Sequence, residues 1–146
     1  MPTPTTEPGS LTVLRAVITL QTLIIFAASV TAGLLLSVPG GSALHSATAY
    51  TLFVVAVVHV VAAFLAWRPG GGSARPVVYA GIFLAATLAQ VGLGIAHLKV
   101  LHIPLGVTMF GASALELAWI WSSARAVHHR PATEPVATGA GPAGRE

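Results

Sequence analysis

The sequence predicts an all-α integral membrane protein: a four-helix bundle made of two helix-hairpin repeats, with both termini cytoplasmic. Three observations carry this. Of the 146 residues, 55% are hydrophobic and 8% charged, against about 25% charged in a soluble domain. A chain this short buries only about two-thirds of its surface on folding, too little to hide so much apolar side chain from water. Finally, Lys, Arg, Asp and Glu are absent from Ala16 to Trp67, from Pro76 to Leu98 and from Val100 to Leu115. A membrane helix needs about 20 apolar residues, so the first interval holds two spans and the others one each.

Residues 1–10 are rich in Pro and Thr and are expected to be disordered. The apolar run that follows is too long for the ~7–15-residue core of a signal peptide, and no basic residue precedes it except Arg15 at its edge. It reads as a retained span over 12–37. Val38-Pro39-Gly40-Gly41-Ser42 is a turn signal, and span two follows over 43–67. The Pro/Gly-rich segment Arg68 to Pro76 stops it, and span three covers 77–98. Lys99 to Ile103 reads as a tight turn, because Pro104 suits the first turn of a helix. Span four then runs over 104–126. The transmembrane domain is thus 11–127, and 128–146, which opens on His128-His129-Arg130-Pro131, is expected to be a disordered tail with solvated histidines.

Orientation follows from the basic residues at the span ends. Arg15, Arg68, Arg75, Arg125 and Arg130 fall on one side and Lys99 alone on the other. The excess places the termini and the middle linker in the cytoplasm and the two tight turns outside. Trp67, Trp119 and Trp121 fall at the cytoplasmic boundary, as an interfacial aromatic belt does.

Several function classes drop out. The chain has no cysteine, which removes disulfides, thiolate metal sites and covalent c-type haem attachment. The net charge of +3 comes from cations scattered between apolar spans, which make no nucleic-acid-binding face. Gly70-Gly71-Gly72 lacks the Lys-Ser/Thr of a phosphate-binding loop, and a Ser-His-Asp triad is impossible without an Asp.

The ionisable residues within the spans carry the chemistry, because such residues are costly in a bilayer and usually face the bundle interior. His45 opens span two and His59 lies 14 residues on; His102 opens span four and Glu116 lies 14 residues on. Fourteen steps of about 100° return to nearly the same helix face, about 21 Å further along. Each pair therefore lines one face, with one member near the outer surface and one deeper. The halves also match in pattern: Leu44-His45 parallels Leu101-His102, and Ala32-Gly33-Leu34 parallels Val91-Gly92-Leu93. Two spans per half relate the halves by an axis along the membrane normal.

That symmetry brings His45 and His102 together at the outer face, the arrangement of a haem iron held by two imidazoles between apolar helices. Gly33, Gly92, Gly94, Gly106 and Gly111 leave room for close packing around a flat ring. Interfacial polar caps are the competing account of these histidines. His97, five residues before His102, is an alternative ligand or a partner of His102 in a copper or zinc site, though no third ligand is evident. His59 and Glu116 are expected to form a buried hydrogen-bonded pair deeper in the bundle, structural or proton-carrying. Snorkelling of Glu116 toward the boundary at Trp119 is the alternative.

Gln90-Val91-Gly92-Leu93-Gly94, Leu101-His102-Ile103-Pro104-Leu105-Gly106-Val107 and Leu44-His45 resemble one four-helix half of the haem A synthase family. Cytochrome b561-like four-helix membrane proteins are a looser likeness. The resemblance implies a haem-binding bundle with His45 and His102 as the ligand pair. The first outer turn, Val38 to Leu44, carries neither the acidic residue nor the cysteine pair of the synthase loops, so enzymatic activity is left undecided. The leading expectation is a cell-membrane, multi-pass protein that binds haem b for electron transfer or haem handling. Its expected partners are membrane lipid and either a membrane redox protein or a second copy. Two other classes stay open: a cofactor-free scaffold or assembly protein, and a small proton- or ion-coupled transporter.

Overall fold

A computed structural model describes residues 8–68 and 73–128. It contains four α-helices: α1 (Pro8–Ser37), α2 (Gly41–Trp67), α3 (Arg75–Ile95) and α4 (Lys99–His128). Among the described residues there is no strand. All four helices are long and apolar enough to cross a membrane. Residues 1–7, 69–72 and 129–146, where the N-terminal segment, the centre of the linker and the tail were expected, lie outside the described residues.

Local chemistry sets the boundaries and moves several of them. Helix α1 begins at Pro8 rather than Thr12, since proline's fixed φ and missing N–H suit a first helical turn. Gly40, at φ 82°, turns the chain into α2, which starts at Gly41. A Cβ on Gly41 would lie 2.4 Å from the Leu34 carbonyl oxygen, so only glycine lets the two helices meet this closely. Arg75 and Pro76 belong to the first turn of α3, not to the linker. Helix α3 ends at Ile95, three residues before the expected Leu98. There the Leu98 N–H reaches back to the Leu93 carbonyl at 3.0 Å, and His97 takes φ 56°.

The largest difference is at α4. The segment Lys99 to Ile103 is helix rather than turn, and Pro104 lies inside α4. Pro104 is the sixth residue of α4, in its second turn, where its nitrogen would otherwise meet the Val100 carbonyl. Pro104 forfeits a single such bond near the helix start.

The helices form a ring, each packed on its chain neighbours and α4 closing against α1; α2 and α4, like α1 and α3, are diagonal. Two apolar clusters fill the centre. Leu14, Ile18, Ala62, Ala63, Ala66, Ala80 and Ile120 pack toward the linker end, and Ile25, Leu52, Ala56, Phe83 and Met109 toward the tight-turn end. Between them in chain order on α1, α2 and α4 lies a polar layer: Gln21, Thr22, His59, Ser113 and Glu116. Outward positions are apolar: Leu36 is 79%, Leu115 73% and Val100 85% exposed. Such a surface belongs in lipid, and the continuous helices satisfy their own backbone there. The chain is thus compatible with a multi-pass membrane protein. At the linker end, the Arg68 guanidinium lies over Phe64 and Trp67, at 5.4 and 5.8 Å from the ring centres.

Candidate functional site

Two polar clusters share the bundle axis. The first is at the tight-turn end. His45, on the second turn of α2, donates from Nδ1 to the Ala28 carbonyl of α1 at 3.2 Å. Thr31 lies beside it, its Oγ1 3.5 Å from the same nitrogen and 2.9 Å from Thr48 Oγ1. His102, on the first turn of α4, donates from Nδ1 to the Gln90 carbonyl of α3 at 3.1 Å. In return the Gln90 amide donates to the His102 carbonyl at 3.0 Å. Glycines make this possible. A Cβ on Gly94 would stand 3.4 Å from His102 Cε1, and one on Gly106 would stand 2.8 Å from Gln90 Nε2.

Both imidazoles are half-buried and meet across the α2–α4 diagonal, with ring centres 6.1 Å apart and planes at 73°. Tying each Nδ1–H to a backbone carbonyl fixes the tautomer and leaves each Nε2 with its lone pair, the arrangement found behind metal-bound histidines. Two imidazoles on opposite sides of one metal, each about 2.0–2.1 Å from it, put their ring centres about 6.3 Å apart. The observed separation is close to that value, and each ring keeps one nitrogen not committed to a carbonyl. The Gln90 Oε1 atom is buried beside His102 with no hydrogen-bond partner. His97 lies apart from this pair in character: it is exposed, in the α3–α4 turn. Among the described residues, no group of three or more His, Asp or Glu is placed to hold a bare metal ion.

The second cluster is the polar layer. His59 is fully buried and donates from Nδ1 to Gln21 Oε1 at 2.9 Å. Its Nε2 faces Glu116 Oε1 at 3.5 Å, too long for a good hydrogen bond, and has no other partner. The structure thus brings His59 and Glu116 together, from diagonal helices, with Gln21 of α1 completing the group. One step along, Thr22 and Ser113 hydroxyls join α1 to α4 at 2.8 Å.

Gln21, Gln90 and Thr31 are the participants that sequence reasoning missed. A signal for two of them was available: Gln21 and Gln90 are the only glutamines of the chain, and both lie in charge-free runs. A primary amide needs partners in lipid for the same reason that histidine does.

Compared with family models, curated proteins and solved structures, the chain has no match in any of the three.

Proposed function

We propose that this chain binds one b-type haem non-covalently near the outer membrane face, with His45 and His102 on its two axial positions, for electron transfer or haem handling. The observation that carries this is the pairing of the two rings at 6.1 Å, each with Nδ1 committed to a carbonyl of the preceding helix. When bound, the haem supplies a one-electron couple. His45 and His102 would supply the lone pairs, and the Ala28 and Gln90 carbonyls orient the rings. Gly94 and Gly106 keep α3 and α4 close enough for the Gln90–His102 exchange.

The same reading takes the bundle as two helix-hairpin repeats. Thr31 and Gln90 immediately precede the matching triplets Ala32-Gly33-Leu34 and Val91-Gly92-Leu93, and each contacts the histidine of its own half. The excess of basic residues at the linker end supports cytoplasmic termini and a haem toward the exterior. The partners that fit are membrane lipid and a membrane redox protein or second copy.

The test is the absorption spectrum of the purified, haem-supplemented protein. A six-coordinate low-spin spectrum is expected, and His45→Ala or His102→Ala abolishes it. His59→Ala retains it, because His59 lies about 21 Å further along the helix, and so does His97→Ala. A protein with no Soret band refutes the proposal. A spectrum lost with His97 but kept without His45 moves the site to the α3–α4 turn.

A further inference from the structure

Glu116 is the sole acidic residue between Glu7 and Glu134, yet it is placed where a carboxyl is costly. Its side chain is 13% exposed, and the one basic side chain within 4.0 Å of it among the described residues is His59, at 3.5 Å. Glu116 also lines a cleft of about 560 Å³ between α3 and α4, walled by Tyr79, Phe83, Met109, Leu115 and Trp119. That volume falls within the roughly 300–1,000 Å³ of small-molecule sites. The cleft opens sideways: Tyr79 is 53%, Leu115 73% and Trp119 51% exposed, on a face that lipid surrounds. Arg75 stands at its linker-end rim, exposed at the start of α3.

We propose that this cleft is a binding site for a lipid-soluble organic cation, held by the Glu116 carboxylate and the rings of Tyr79, Phe83 and Trp119. A groove that only receives acyl chains has no use for a carboxyl, which in lipid demands a compensating charge or donors. The protein supplies little of either: no Lys or Arg nitrogen among the described residues lies within 4.0 Å of Glu116, and the His59 Nε2 behind it makes no hydrogen bond. An anionic group beside aromatic faces is the environment that recognises ammonium and phosphonium ions, through charge and ring quadrupole together. The apolar walls select a cation carrying enough hydrocarbon to enter from the bilayer. The site is separate from the His45–His102 pair and does not depend on haem.

The experiment uses the full chain in nanodiscs of zwitterionic lipid and two probes of one shape and opposite charge, tetraphenylphosphonium and tetraphenylborate. Binding is measured by equilibrium dialysis and corrected with protein-free nanodiscs. Saturable binding of tetraphenylphosphonium, at least tenfold tighter than tetraphenylborate, is expected. Glu116→Gln lowers it at least tenfold, and Ala112→Trp, which sets an indole into the cleft that Ala112 lines and leaves the carboxyl in place, does the same. Equal binding of the two ions makes the cleft a lipid groove and overturns the proposal. Undiminished tetraphenylphosphonium binding by a folded Glu116→Gln or Ala112→Trp protein also overturns it. If Glu116→Gln loses its helical circular dichroism, Ala112→Trp and the comparison of the two ions decide by the same thresholds.

Discussion

The Gln21–His59 hydrogen bond is the most quantitative test of the buried polar layer. Both side chains are fully buried, and the bond is 2.9 Å long. Gln21→Leu removes the acceptor and leaves the imidazole N–H unsatisfied, which costs about 1–3 kcal/mol. The lower part of that range is expected, because the Gln21 Nε2 atom is itself buried without a partner and its removal offsets some of the loss. His59→Leu costs more, since it leaves both the Oε1 and the Nε2 of buried Gln21 without the imidazole or another hydrogen-bond partner and removes the ring that Glu116 faces at 3.5 Å. The double variant costs less than the sum. In bilayers such couplings average about 0.6 kcal/mol and reach about 1.7 kcal/mol; complete burial and good geometry put this pair near the top of that range. The cycle is measured by SDS-driven unfolding in mixed micelles, followed by far-UV circular dichroism. A coupling within about 0.3 kcal/mol of zero, the scatter of independent sites, refutes the claim that these side chains hold one another.

Two further outcomes follow from the same geometry. Gly41→Ala sets a Cβ 2.4 Å from the Leu34 carbonyl oxygen and 2.7 Å from Leu35 Cα, backbone atoms that cannot yield, so overpacking costs about 1–3 kcal/mol. Gly81→Ala meets nothing within 4 Å and is expected to be neutral or to stabilise by up to about 1 kcal/mol through helix propensity; the same unfolding assay ranks the two. For topology, the exposed Ser42 and Ser73 are replaced singly by cysteine in this cysteine-free chain and treated in intact cells with an impermeant thiol reagent. Labelling of Ser42→Cys without Ser73→Cys is expected, and the reverse inverts the orientation.

That the chain forms four helices long and apolar enough to cross a membrane was legible in the sequence, because the demands of a bilayer act on composition. A span must be apolar along its whole length, so charge-free runs and Pro/Gly punctuation mark it without knowledge of its neighbours. Helical periodicity likewise put His45 with His59, and His102 with Glu116, on common faces, since rise and turn are local properties. What lies opposite a given face is not local. The diagonal placement of α2 and α4, which sets the imidazole rings 6.1 Å apart and Glu116 3.5 Å from His59, comes from how four helices close into a ring. Gln21 and Gln90 enter the clusters because neighbouring helices carry them there. The start of α4 at Lys99 shows the same division: Pro104 marks a helix start within a few residues, and only packing chooses among them. Capping of His102 by the Gln90 carbonyl, and the opening of the cleft that exposes Glu116, are likewise decided by tertiary structure. Both depend on gaps and approaches between α3 and α4 of a few ångström, set by side chains distant in the chain, which no residue records in its own sequence neighbourhood.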